Sequence, residues 1–73
     1  MNLSEVNIGD TVRIESINSS DLKSKLLELG FIQGKEITVK FCAPFGDPIA
    51  VEIDGYTISL RKSEARLIQL KSN

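Results

Sequence analysis

The chain has 73 residues, nine basic against ten acidic, a net charge of −1, one cysteine and no histidine. The charge balance argues against the basic face that nucleic acid selects, and a lone Cys42 excludes an internal disulfide and fits a reducing compartment. A chain this short buries only about 60% of the surface its unfolded form exposes, which leaves room for one core and no active-site cavity of ordinary size.

Met1-Asn2-Leu3-Ser4-Glu5 has neither the basic nor the apolar region of a secretory leader. No apolar run nears the roughly 20 residues that span a bilayer. The expectation is one soluble, cytoplasmic domain over residues 1–73. Leu3 to Val6 reads as a short turn pinning the N-terminus, and Gly9-Asp10 as a turn. Thr11 to Ile17 reads as a strand, with Val12 and Ile14 alternating against Arg13 and Glu15. Asn18-Ser19-Ser20-Asp21 offers helix N-caps. A helix from Ser20 to Leu29 would set Leu22, Leu26 and Leu29 on the core face and Lys23, Lys25 and Glu28 in water. Gly30 suits the position just past its end.

Gln33-Gly34 makes the next turn, and Glu36 to Cys42 a strand with Ile37, Val39 and Phe41 facing in and Thr38, Lys40 and Cys42 facing out. The loop Ala43 to Pro48 follows. Asp54-Gly55 is the sharpest local signal, a two-residue type I′ hairpin turn. Its register pairs Ile53 with Tyr56, Val51 with Ile58 and Ile49 with Leu60, all on one face. Glu52–Thr57 and Ala50–Ser59 take the other face. Arg61 to Arg66 reads as a helical turn, Ile68 to Leu70 as the last strand, and residues 71–73 as a fraying end. The fold class is mainly β, a small, partly open barrel of about five strands with one inserted α-helix and a short C-terminal helical turn. SH3-like barrels have this scale, and a five-stranded OB-type barrel is the alternative.

The chemistry of a metal or catalytic site is thin. Without histidine, Cys42 cannot complete a zinc site or form an activated nucleophile pair. Gly30 and Gly34 lack the Lys-Ser/Thr of a phosphate loop. Asp54 is explained by its turn and Asp47 by its place before Pro48. No catalytic residue, metal ligand or cofactor is expected, and the chain reads as a binding module. Phe45, beside Pro44, is either an apolar anchor for a partner or a lid folded back on the core. Arg61 and Lys62 could meet an acidic partner patch, or be solvated or paired internally. Leu27 lies off the main helical stripe beside Lys23 and is a further candidate contact. Cys42 reads as an inert, semi-buried residue.

Leu26-Leu27-Glu28-Leu29-Gly30-Phe31-Ile32-Gln33-Gly34, Ala43-Pro44-Phe45-Gly46-Asp47-Pro48-Ile49, Asp54-Gly55-Tyr56 and Ile58-Ser59-Leu60-Arg61-Lys62-Ser63-Glu64-Ala65, in that order and spacing, resemble the FeoA family. The resemblance covers Leu3 to Leu70. It implies an SH3-like fold and a cytoplasmic accessory role in bacterial ferrous iron uptake. The implied partner is the FeoB-type ferrous iron transporter at the inner membrane, met at its GTP-binding domain. Nothing in it implies nucleic-acid binding or membrane insertion. Pro44, Phe45, Arg61, Lys23 and Leu27 are the residues such docking would use. Arg61 or Arg13 could act as a donated arginine finger. A related SH3-like domain ends some iron-dependent transcriptional repressors. The start methionine and the lack of a helix-turn-helix favour a free-standing protein over that alternative.

Overall fold

In the computed structural model, which describes residues 1–71, the strands are β1 (Thr11–Ile17), β2 (Glu36–Cys42), β3 (Ile49–Ile53), β4 (Tyr56–Leu60) and β5 (Ile68–Leu70). Two helices join them, α1 (Lys23–Glu28) and α2 (Lys62–Ala65), after a 3-10 turn at Leu3–Glu5. The strands form one antiparallel sheet in the order β4-β3-β2-β1-β5. It curls without closing, because β4 and β5 are edges that do not pair with each other. The partly open barrel read from the sequence is therefore the observed architecture.

The hairpin register is the one the Asp54-Gly55 turn dictates: Ile53 faces Tyr56, Val51 faces Ile58 and Ile49 faces Leu60. Both turn residues have positive φ, 52° at Asp54 and 82° at Gly55. Lys35 holds the turn from outside, with Nζ 3.0 and 2.9 Å from the two Asp54 carboxylate oxygens. Leu3, Ile14, Leu26, Phe31, Ile37, Val51, Leu60 and Ile68 fill the core, each fully buried.

Two bulges break the simple alternation. Ile14 pairs with Leu70 and Ser16 with Gln69, so Glu15 is an extra residue in β1. The shift turns Ile17 to the core and Ser16 to solvent. Val39 pairs with Val51 and Phe41 with Ala50, so Lys40 is extra in β2. This second bulge reverses the expected side of Phe41, which is 59% exposed on the outer face. Phe41 and Ser59 flank Ala50 across that face, and the small Ala50 is buried between them although it points outward. Tyr56 keeps its expected pairing yet is exposed. It opens an edge strand beside the hairpin turn and has a strand neighbour on one side only. Cys42, expected half-buried, is exposed at the end of β2.

The helix is shorter than expected. Ser20 Oγ accepts the Leu22 N–H at 3.2 Å and holds residues 20–22 as a turn, so the first helical bond runs from Leu26 N–H to Leu22 C=O. At the other end, Gly30 has φ 106°. The Gly30 N–H donates to Leu27 C=O and the Phe31 N–H to Leu26 C=O, both at 3.1 Å, the double reverse bond of a Schellman cap. That reversal sends Phe31 into the core against Leu26 and leaves Leu29, expected to be buried, exposed. Lys71 does not fray, since its N–H donates to Arg13 C=O at 2.9 Å. The rest of the expected fraying segment, residues 72 and 73, lies outside the described residues.

Candidate partner-docking surface

The Ala43 to Pro48 loop is built to display one side chain. The Ala43 N–H donates to Pro48 C=O at 2.9 Å and closes its base. The Gly46 N–H donates to Ala43 C=O at 2.7 Å and closes a β-turn with Pro44 and Phe45 at its centre. Proline presets φ at the first central position, and Gly46 supplies φ 85° at the exit. The Asp47–Pro48 peptide is cis. Phe45 is 98% exposed at the tip, so it is no lid on the core.

A carboxylate ties this loop to α2. Asp47 Oδ1 accepts the Lys62 N–H, in the first turn of α2, at 3.0 Å. Arg61 occupies the N-cap, and its guanidinium carries no acceptor for such an orphan N–H. Asp47, fifteen residues away in the sequence, supplies one. Glu64 provides the reverse half of a capping box, its Oε1 accepting the Arg61 N–H at 2.8 Å. Its other oxygen takes Lys25 Nζ of α1 at 2.7 Å. The hydrogen bond from Lys25, then the one from the Arg61 backbone, hold the buried Glu64 carboxyl below its ordinary range against the opposing effect of burial. Loop, α2 and α1 are thus joined by two carboxylates.

Lys25, Pro48, Ser59, Arg61 and Glu64 line a depression of about 290 Å³ at this end of the molecule. Arg61 lines this depression, and the Asp47–Lys62 bond ties the loop that carries Pro44 and Phe45 to the helix that Arg61 caps. Lys23 and Leu27 belong elsewhere: with Ile17, Phe31 and Gln33 they line a second depression of about 210 Å³. Arg61 and Lys62 enter none of the ion pairs among the described residues, which are Arg13–Glu36, Lys25–Glu64 and Lys35–Asp54. The internal pairing considered for them is not made. Arg13 is committed within the chain, donating to Gly34 C=O at 2.8 Å and lying 3.4 Å from the Glu36 carboxylate. Sequence reasoning gave Asp47 a structural role in its loop and left Lys25 in water, and it missed the bond each makes to α2 because each acts from a distant segment. Glu64 carried a legible trace, an acidic residue three positions after the cap.

Among the described residues, no group of three or more Cys, Asp or Glu side chains is placed to hold a metal ion. No helix is long and apolar enough to cross a membrane.

The FeoA domain family matches residues 1–72. An Fe(2+) transport protein A/Fe(2+) transporter FeoB fusion protein of Porphyromonas gingivalis is 39% identical over 72 residues, which are 97% of this chain and 8% of that protein. The chain thus spans only a small part of this curated relative. An FeoA-like protein of Clostridium acetobutylicum superposes with a TM-score of 0.92 at 40% identity, covering 97% of this chain and 84% of the other. FeoA of Stenotrophomonas maltophilia, a prokaryotic SH3 domain protein solved with zinc, gives 0.87 at 29% identity over 97% and 89%. A manganese-dependent transcriptional repressor shares the fold alone, with a TM-score of 0.87 at 24% identity over all of this chain and 41% of the repressor. The OB-type alternative gives way to the SH3-like fold, and by the family match over residues 1–72 the chain belongs to the FeoA domain family.

Proposed function

We propose that this domain is an accessory component of bacterial ferrous iron uptake that works in the cytoplasm by contact with a FeoB-type transporter. The docking surface is the end built from Pro44, Phe45 and Arg61, and its target is the transporter's GTP-binding domain at the inner membrane. One observation carries the reading: a phenylalanine 98% exposed on a loop tied down at its base and to α2. An aromatic held ready loses little entropy on docking, and Arg61, at the N-cap of the helix to which the loop is tied, supplies a cation that enters no ion pair among the described residues. The occurrence of the two proteins as one chain in Porphyromonas gingivalis supports the association. Docking would act by differential affinity, favouring one conformational or nucleotide state of the transporter over another. No group in this chain need do chemistry.

Phe45→Ser tests the site. Affinity for the isolated GTP-binding domain should fall by more than about 1 kcal/mol, the mark of an anchor residue, with an unchanged thermal melt. Full binding by the folded variant would move the interface to the depression at Lys23 and Leu27.

The repressor's shared fold favours a second reading, a regulatory domain that packs on its neighbours in a DNA-binding chain. Pull-down from membranes against pull-down on DNA separates the two.

A further inference from the structure

The two edges of the sheet are treated differently. Beside β5, Asn2 bridges Gln69, and the Leu70 N–H donates to Met1 C=O at 3.0 Å. Beside β4 there is no such cover among the described residues. In a two-residue hairpin the residues flanking the turn form a hydrogen-bonded pair, and such pairs alternate along the ladder. Tyr56, Ile58 and Leu60 therefore spend their backbone groups on β3, and Thr57 and Ser59 aim theirs outward. Natural edges are blunted by lysine, proline, inward charge or a bulge. Tyr56-Thr57-Ile58-Ser59-Leu60 has no charge and no proline, and its pairing with β3 runs without a bulge.

We infer that β4 pairs antiparallel with β4 of a second copy of this chain, joining two five-stranded sheets across a two-fold axis at Ile58. The edge fits itself. Thr57 of each copy faces Ser59 of the other, so the outward N–H and C=O groups of both are met. Ile58 meets Ile58 at the close, non-hydrogen-bonded position, and Tyr56, 72% exposed in the single chain, faces Leu60. A shift toward Arg61 would need its N–H, which Glu64 Oε1 already holds at 2.8 Å. A shift toward the turn would leave Ser59 facing Gly55 rather than Thr57. In the favoured register Gly55 faces Arg61, which sets the neighbouring Asp54 carboxylate beside Arg61 and Lys62 of the other copy. Lys35 already holds that carboxylate, so the ends of the seam add no free counter-charge, while the strands themselves bring no like charge together. A second copy offers this match, and an uncharged edge offers nothing to repel it. The seam ends at Arg61, which the docking reading also uses, but it needs neither Phe45 nor a transporter, so the two readings are tested separately.

Sedimentation over a concentration series tests it, together with amide exchange. Mass should rise from one chain to two, and the Thr57 and Ser59 amides should become protected only as the dimer fills. Thr57→Lys should raise the dimer dissociation constant at least tenfold. It sets two lysines at the diagonal spacing of about 7–8 Å across the seam, and within each chain it faces Glu52, which keeps the fold. Thr57→Pro, which removes one outward N–H, should give the same loss. A chain that stays single at millimolar concentration overturns the inference. So does a dimer whose Thr57 and Ser59 amides exchange freely, or one that both variants leave intact.

Discussion

Phe31 and Phe41 show how much one side chain's direction decides. Phe31 is fully buried behind the Gly30 reversal, and Phe41 stands 59% exposed after the Lys40 bulge. Phe31→Ala should therefore cost about 3–5 kcal/mol, the range for emptying a large core site, which would unfold much of a domain this small. Phe41→Ala should cost under about 1 kcal/mol, since surface positions rarely exceed that. Urea melts of the two variants check both figures; equal losses would mean that the bulge is misplaced. The sequence could not separate these residues. Strict alternation puts Phe41 inside, and neither Lys40 nor Glu15 carries a bulge signal such as glycine. The Asp54-Gly55 turn, by contrast, needs a conformation few other residue pairs accept, so its register could be read directly.

At the level of elements, α2 depends on a residue outside it. A four-residue helix has no interior to stabilise it, and its orphan N–H groups need acceptors. Asp47→Ala should remove about 1 kcal/mol, the usual worth of a capping oxygen, and free the loop that presents Phe45. A thermal melt reads the first effect and transporter affinity the second; an unchanged melt would mean the Asp47–Lys62 bond adds nothing. Glu64 gives this corner a pH dependence. Its carboxyl is held below the ordinary range in the folded state, so it binds fewer protons there than in the unfolded chain. The stability it adds is complete above the ordinary glutamate pKa of about 4.3 and fades as pH falls through the lower folded value. Thermal midpoints should drop in that acid window. Lys25→Met, which deletes the largest cause of the shift, should shrink the drop relative to the variant's own midpoint at neutral pH. An identical acid profile would assign the loss to other carboxylates. The helical turn itself was legible, because Ser63-Glu64-Ala65 breaks strand alternation. Its tie to Asp47 was not, because a contact spanning fifteen positions leaves no periodic trace.

For the whole molecule, the chain order of strands and helices carried the fold. Five short apolar runs punctuated by Gly9, Gly34 and Gly55 leave few ways to bury one core. The proposed docking surface was half legible: Phe45 stood out between Pro44 and Gly46, but only the fold shows that Lys23 and Leu27 line a different depression from Arg61. The same composition bears on metal. With no histidine in 73 residues and a single exposed cysteine, the monomer should show no stoichiometric, submicromolar site for ferrous iron in anaerobic titration calorimetry. Such a site would overturn the reading in which iron is handled by the partner alone. The bridge between Asn2 and Gln69 has a mechanical side. Because Met1 and Leu70 are hydrogen-bonded neighbours on antiparallel segments, a force drawing residues 1 and 71 apart loads their contacts one after another rather than together. That corner should therefore peel strand by strand before β2 and β3, deeper in the sheet, take up the load.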